Sequence, residues 1–152
     1  MASSDSRVIL LLSGPNLNLL GERQPEIYGT TTLHDLVQIA KGTAAAHGYD
    51  VEHLQSNHEG ELIDAIHGAR GRCAAIVINA AAFTHSSFAL ADALATYDGV
   101  KVELHISNPQ AREEWRHASL IAPYVDGHLA GFGAAGYRLA VEAAVALLDG
   151  AP

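Results

Sequence analysis

Five segments of strand length divide the chain, and an amphipathic segment follows each of them. The predicted strands cover residues 8–12, 49–54, 74–78, 100–106 and 125–130. The first of them, VILLL at residues 8–12, is a continuous apolar run, which is typical of a strand that is covered on both faces. The segments between them predict helices over residues 32–47, from residue 60 onward, and over residues 88–97, 112–119 and 133–148.

This alternation of strand and helix predicts an α/β fold. Consecutive strands separated by helices must be parallel and joined by right-handed crossovers. Five such strands favour a flavodoxin-like three-layer sandwich with the strand order 2-1-3-4-5. Thr32 followed by Asp35 predicts a capping box at the start of the first long helix, and Gly48 suits the C′ position at its end.

The connection after the first strand, SGPNLNLLGERQPEIYGTT at residues 13–31, is unusually long. A strand-to-helix loop commonly takes about two to six residues. Open α/β sheets bind their ligands beyond the carboxyl ends of the strands. We therefore interpret this connection as an active-site loop and lid, which Leu17, Leu19 and Leu20 would pack down.

Other polar residues occupy the same kind of position, at or just beyond the end of a predicted strand. Asn16 follows the first strand, Asn79 follows the third, and His105 and Ser107 lie at the end of the fourth. Because the carboxyl ends of parallel strands share one edge, these side chains converge although they are far apart in sequence. We expect this edge to be the functional face.

Two pairs of residues suggest acid–base chemistry. Glu103 and His105 alternate with apolar neighbours, so they share one face of the fourth strand. Such a histidine suits a general acid or base, although taken alone a hydrogen-bonded core histidine fits equally well. In the long loop, Arg23 would stabilise the phenolate of Tyr28, since a tyrosine hydroxyl otherwise titrates at about 10.

Composition and charge exclude several classes of protein. The 152 residues are 49% hydrophobic and 17% charged, which is typical of a globular protein, and no run reaches the ~20 apolar residues of a membrane span. The net charge of −8 argues against nucleic acid as a partner.

We expect a disordered extension over residues 1–6 with no signal peptide, and a single catalytic domain over residues 7–150. The single cysteine, Cys73, fits a core residue in a reducing cytoplasm.

Three further features give weaker signals. GFGAAG at residues 131–136 matches the dinucleotide fingerprint G-x-G-x-x-G, but the sequence reaches Pro152 before a following strand with its acidic residue, so close helix–sheet packing is the preferred explanation. Lys41 and Lys101 are the only lysines, and neither suits Schiff-base chemistry. The histidines show no zinc-like spacing, and we expect four of them to be solvated: His34, His47, His53 and His67.

Taken together, the sequence from residue 8 to about residue 148 resembles the type II 3-dehydroquinate dehydratases. The resemblance rests on GPNLNLLG (14–21), R-x-P-x-x-YG (23–29), QSNHEGEL (55–62), N-x-x-A-x-THSS (79–87), ELHISN (103–108), ARE-x-x-R (111–116) and G-x-GxxGY (131–137). It implies dehydration of 3-dehydroquinate to 3-dehydroshikimate by anti elimination through an enolate, in the shikimate or the quinate pathway. It also implies a flavodoxin-like dodecamer built from trimers, without cofactor or metal.

The resemblance also implies residue roles. Tyr28, as tyrosinate, would remove the C2 proton with help from Arg23, and Asn16 would position a water that stabilises the enolate oxygen. His105, oriented by Glu103, would protonate the departing C1 hydroxyl. The other implied residues would bind substrate or move with the lid: Asn79, the backbone amides of Ile106 and Ser107, His85, Arg116, Asp92 from a neighbouring subunit, and Glu22 and Gln24 on the lid.

The sequence departs from the family pattern at three places. Ala81 stands where a glycine is common, so the backbone there must accept a Cβ. Phe83 and the pair Pro109 and Gln110 also differ from the usual residues, which concerns affinity and not the reaction class. Two other functions remain open: a flavin- or nucleotide-binding module that uses GFGAAG, and an inactive homologue kept for assembly.

Overall fold

A computed structural model describes residues 5–150 of the chain and shows one parallel five-stranded sheet. The strands are β1 (Val8–Ser13), β2 (Asp50–Gln55), β3 (Ala75–Asn79), β4 (Val100–His105) and β5 (Gly127–Ala130). All four pairings are parallel, and the spatial order is β2-β1-β3-β4-β5. The predicted fold class and strand order are confirmed.

Helices cover both faces of the sheet. They are α1 (Pro25–Tyr28), α2 (Leu33–Ala46), α3 (Glu59–Ala69), α4 (Phe88–Ala95) and α5 (Ala135–Leu148). Side chains of β1 alternate between two apolar clusters, because successive residues of a strand point to opposite faces. Ile9 and Leu11 pack in the cluster that includes α2 and α5, whereas Leu10 and Leu12 pack in the cluster that includes α3 and α4.

The predicted start and end of α2 are both confirmed. The Thr32 hydroxyl accepts a hydrogen bond from the Asp35 amide at 3.2 Å, and the Asp35 carboxylate accepts one from the Thr32 amide at 3.0 Å. Hydrogen bonds to the carboxylate from the Thr32 amide and from the Thr32 side chain hold the pKa of Asp35 below its usual value. Beyond the other end of the helix, Gly48 has φ +80° and takes the left-handed conformation that a glycine allows.

The predicted helix over residues 112–119 is wrong. Residues 112–119 contain only the 3-10 turn Glu114–Arg116, and further 3-10 turns lie before and after them, at Pro109–Ala111 and Ala122–Tyr124. The segment has no apolar stripe at helical spacing to bury, and Glu113 and Trp115 are exposed. Its backbone instead bonds to the connection after β3, where Leu120 donates to the carbonyl oxygen of Thr84 at 2.8 Å.

The glycines of GFGAAG form a turn and allow a helix to pack closely on the sheet, which is the explanation that the sequence analysis preferred. Gly131 has φ +92° and Gly133 has φ +59°. A Cβ at Gly136 would lie 3.0 Å from Cδ1 of Leu104, so a side chain would push α5 away from β4. Within the described residues, no strand follows α5.

The prediction of a disordered extension over residues 1–6 falls partly outside the described residues, which begin at Asp5. Ser6 contacts the fold, since its hydroxyl donates to the carbonyl oxygen of Arg72 at 2.6 Å. Cys73 is buried, as predicted. Across residues 5–150, none of the helices has the length and apolar character needed to cross a membrane.

Candidate active site

A pocket opens at the carboxyl edge of the sheet, beyond β1, β3 and β4, and encloses about 660 Å³ with its mouth. Eight of the residues predicted from the sequence line it: Asn16, Arg23, Asn79, His85, His105, Ile106, Ser107 and Arg116. Three sequence-distant segments, residues 15–23, 79–85 and 105–116, therefore meet here, because parallel strands end at one edge. The remaining lining residues include the apolar Leu17 and Leu20, and Arg112.

Glu103 and His105 form a hydrogen-bonded pair at the end of β4. Nε2 of His105 lies 2.5 Å from Oε2 of Glu103, and the Glu103 residue is 2% exposed. Ser119 donates a second bond to this carboxylate, with Oγ 3.0 Å from both of its oxygens. Because a carboxylate can only accept, Nε2 of His105 carries a proton, which leaves Nδ1 of His105 for another partner.

His85 stacks near His105, with ring centroids 6.3 Å apart. Its Nδ1 lies 2.8 Å from the carbonyl oxygen of Ala118, which can only accept, so Nδ1 carries the proton. Burial lowers the pKa of His85 below its ordinary value, and the bond to Ala118 offsets this only in part. A neutral His85 therefore presents Nε2 as an acceptor, which suits a substrate hydroxyl group.

Three arginines line the pocket: Arg23, Arg112 and Arg116. They are three of only nine Lys and Arg residues in a chain of net charge −8. Arg112 donates to the Ser107 hydroxyl at 3.2 Å, and Arg116 donates to Glu113 at 2.5 Å. The concentration of guanidinium groups matches an anionic ligand such as a carboxylate.

Both polar atoms of the Asn79 side-chain amide are hydrogen-bonded. Its Oδ1 accepts from the Ala81 amide at 3.1 Å, and its Nδ2 donates to the Tyr137 hydroxyl at 3.4 Å. Burial raises the pKa of Tyr137 to about 12, so this tyrosine is a neutral structural partner. Ala81 has φ +51°, so the backbone at this position accepts a Cβ in the left-handed region, where a glycine is usual.

The long connection after β1 is partly helical. Leu17 and Leu20 are buried and fix it to the core, whereas Leu19 is 42% exposed, contrary to expectation. Residues 25–28 form the short helix α1, and Glu22 and Gln24 are exposed beside it. Tyr28 closes α1, but its side chain lies outside the described part of the chain. Its role and the lid itself remain predictions.

Of the predicted residues whose side chains are described, Glu103 and Asp92 do not line this pocket, and Glu103 lies behind His105. Asp92 is exposed on α4 and does not line the pocket of its own chain. The positions of Arg112 and Ser119 were not predicted from the sequence, and only the motif ARE-x-x-R pointed to Arg112. Among the residues described, no three His, Cys, Asp or Glu side chains converge as metal ligands would.

Comparison with known proteins places the chain in a family. The family model described as dehydroquinase class II matches residues 7–145. A 3-dehydroquinate dehydratase from Corynebacterium glutamicum is 57% identical over 88% of this chain and 92% of its own length. A catabolic 3-dehydroquinase from Aspergillus flavus is 54% identical over 93% of this chain and 95% of its own.

The structural comparison agrees with these relatives. The crystal structure of a type II dehydroquinase from Butyrivibrio crossotus superimposes with a TM-score of 0.89 at 42% identity, covering 92% of this chain and 98% of that one. The fold and the pocket thus define an α/β enzyme of the hydro-lyase class. The chain belongs to the class II dehydroquinase family.

Proposed function

We propose that the protein dehydrates 3-dehydroquinate to 3-dehydroshikimate and water. The observation that carries this proposal is a histidine–carboxylate pair opening into a pocket with three arginines. Elimination beside a ketone needs a base, an enolate stabiliser and an acid for the leaving hydroxyl group. Arg112 suits the carboxylate of the substrate, and family membership supports the same reaction.

In this mechanism Tyr28, as tyrosinate, takes the C2 proton anti to the C1 hydroxyl group. Arg23, which lines the pocket from the same loop, stabilises the phenolate. The electron pair moves onto the C3 oxygen to form an enolate, which a water held by Asn16 stabilises. The support for Asn16 is its fixed backbone, whose amide donates to Oδ1 of Asn57 at 2.9 Å.

The second step expels water. His105, protonated on both nitrogens, donates a hydrogen bond from Nε2 to Glu103 and gives its Nδ1 proton to the C1 hydroxyl group as the C–O bond breaks. The enolate electrons form the C1–C2 double bond and restore the ketone. The proton on Tyr28 then returns to His105 through solvent, which balances the cycle.

Substrate binding falls to the remaining pocket residues. Asn79 and the amides of Ile106 and Ser107 hold the carboxylate, while His85 and Arg116 bind ring hydroxyl groups. Arg112 joins this set, because its position on the Ser107 hydroxyl places its charge beside the carboxylate site. No metal or cofactor takes part in these steps, and that absence is itself part of the proposal.

The active form in this proposal is a trimer-based dodecamer in which Asp92 completes a neighbour's pocket. Asp92 and Phe88 lie four residues apart on α4 and share a face, and Phe88 is 75% exposed. An exposed aromatic beside a functional carboxylate supports a covering subunit.

Co-expression of two inactive variants tests this arrangement. Chains with Asp92→Asn and chains with Tyr28→Phe should regain activity in mixed assemblies, because some sites then combine an intact Tyr28 with an intact Asp92 from the neighbour. An intact oligomer without such complementation would contradict a shared site. Light scattering should give a mass of twelve chains.

Pathway and location are not fixed by this chemistry. Both the biosynthetic and the catabolic route use the same reaction, and a cytoplasmic location remains a prediction supported by the single free cysteine. Deletion of the gene in its own organism would separate the two routes, because loss of growth without aromatic amino acids indicates the biosynthetic role and loss of growth on quinate indicates the catabolic role.

Ultraviolet absorbance during incubation with 3-dehydroquinate tests the function directly, because dehydration creates a conjugated enone. The wild type should produce a rising signal, Tyr28→Phe should abolish it, and Tyr124→Phe at an exposed tyrosine should not. Retained activity in Tyr28→Phe would refute the tyrosinate mechanism. A silent wild type with an intact assembly would refute the function and favour the binding-module alternative, which a bound chromophore would reveal.

A further inference from the structure

Ser119 lies directly against the carboxylate of the acid–base pair. Its Oγ is 3.0 Å from both Oε1 and Oε2 of Glu103, whose Oε2 also meets His105. A carboxylate that is 2% exposed must have its oxygens hydrogen-bonded, since an unpaired buried charge is costly. Within the described residues, the imidazole and the Ser119 hydroxyl are the side chains that bond to it.

The Ser119 hydroxyl has a fixed direction. The amide of Ala122 donates to Oγ at 3.0 Å, which occupies a lone pair. The hydroxyl carries one proton, and a carboxylate can only accept. The Ser119 oxygen therefore accepts from the Ala122 amide while its proton is donated to Glu103.

We propose that Ser119 is a positioning residue for His105, acting through Glu103. The inference rests on the proposed function, in which His105 is the acid. The terminal torsion of a glutamate is broad, so a carboxylate held on one side only can rotate. The hydroxyl, equidistant from the two oxygens, holds the carboxylate plane so that Oε2 stays on Nε2 of His105. The ring then keeps Nδ1 available to the leaving group.

The neighbouring residue strengthens this inference. The Ala118 carbonyl oxygen holds Nδ1 of His85, and Ser119 holds the carboxylate partner of His105. Two consecutive residues thus fix the two imidazoles, whose centroids are 6.3 Å apart. The irregular path of residues 117–121 sets the orientation of the acid relative to the binding histidine.

Steady-state kinetics give the first test. Ser119→Ala should lower kcat about tenfold, the loss expected for one hydrogen bond to a charged group, while KM stays within about twofold. Ser119→Thr, which keeps the hydroxyl, should restore most of the activity. Ser86→Ala is the matched control, because the Ser86 hydroxyl donates to the carbonyl oxygen of Ala82, away from the acid–base pair. A kcat of Ser119→Ala equal to that of the wild type would overturn the proposal.

A double-mutant cycle separates positioning from mere packing. In a Glu103→Gln background, Ser119→Ala should change kcat by less than about twofold, since the route through the carboxylate is already lost. An equal loss in both backgrounds would mean that Ser119 acts on the fold and not through Glu103. Thermal unfolding of each variant shows whether stability alone has changed.

A spectroscopic readout keeps the inference independent of turnover. The Nε2 proton of His105 should give a downfield proton resonance that disappears in Glu103→Gln and shifts or broadens in Ser119→Ala. An unchanged resonance in Ser119→Ala would overturn the positioning role even if the wild type dehydrates the substrate. If the wild type does not dehydrate the substrate but Ser119→Ala still shifts the His105 resonance, only the proposed reaction is refuted.

Discussion

The imidazole of His85 meets the indole of Trp115 edge to face, with ring centroids 5.6 Å apart. The guanidinium carbon of Arg116 lies 4.0 Å from the centroid of the same indole. Trp115 therefore contacts two side chains that we propose as hydroxyl-binding groups. It is 53% exposed, yet its position ties the two groups to each other.

Trp115 is the only tryptophan of the chain, so its fluorescence should report occupation of the pocket. Titrating 3-dehydroquinate into the Tyr28→Phe variant, which does not turn it over, should change the emission in a saturable way. Free tryptophan titrated in parallel corrects for absorbance by the ligand. Binding by calorimetry without any change in emission would mean that ligand contacts neither Arg116 nor His85.

Removal of the indole should weaken binding more than it slows chemistry. Trp115→Ala should raise KM about two- to thirtyfold, the range that corresponds to losing a cation–π contact, with a smaller effect on kcat. Trp115→Phe keeps an aromatic face for Arg116 and serves as the matched control. A fall in kcat at constant KM would place Trp115 in the chemical step instead.

The sequence predicted the site residues that follow regular strands, and it missed two that lie in the irregular segment between β4 and β5. Asn16, Asn79 and His105 were found because an apolar strand has a recognisable signature, which locates the residues at its carboxyl end. Arg112 and Ser119 were missed because residues 107–124 carry no such signature, and a helix was predicted for part of them. Their conformation depends on bonds to distant groups such as the Thr84 carbonyl oxygen, which no local pattern encodes.

Ala81 permits a test of backbone strain at the edge of the pocket. Its φ of +51° is unfavourable for a residue with a Cβ, so Ala81→Gly relieves backbone strain in the folded state. The same change raises the conformational entropy of the unfolded chain, which opposes this gain in stability. We expect the free energy of unfolding to stay within about 1 kcal/mol of the wild type. Ala81→Val should lower it by about 2 kcal/mol or more, since a branched side chain fits this region worst.

Chemical denaturation of the two Ala81 variants checks this. Ala82→Val is the control, because Ala82 is the next residue in the same turn and is not among those with positive φ. Equal destabilisation by valine at both positions would show that space, and not backbone conformation, limits the site.

The arginines permit a test of carboxylate recognition. Arg112→Ala should raise KM about ten- to a hundredfold, as expected when a charge-assisted hydrogen bond to a buried anion is lost. Arg138→Ala is the control, because Arg138 pairs with Glu142 on the exposed side of α5. A methyl ester of the substrate should bind weakly to the wild type and lose little further affinity in Arg112→Ala, whereas an equal loss for acid and ester would contradict a contact with the carboxylate.

His53 corrects a sequence prediction, since it is not solvated. Its Nε2 lies 2.9 Å from the Ser13 hydroxyl, and the side chain is partly buried between β2 and α2. Burial lowers the pKa of His53, and the charge of Lys41 lowers it further. The histidine on one strand thus bonds to a serine on the next, and nothing in the strand pattern of residues 49–54 distinguished it from an exposed position.

This lowered pKa predicts how stability depends on pH. The unfolded chain protonates His53 at about pH 6.5, above the folded chain, so acidification favours unfolding. The stability that the neutral histidine provides is complete above about pH 6.5 and is lost as the pH falls toward the folded pKa. His53→Gln, which keeps a polar partner for Ser13 but does not titrate, should therefore flatten the decline in unfolding free energy as the pH falls below about 6.5, and the part of the decline that comes from the lowered pKa of His85 should remain. His67→Gln, at an exposed histidine on α3, should leave the slope as it is.

Lys41→Gln should raise the pKa of His53 in proton NMR titration, and a pKa that does not rise would show that burial alone lowers it.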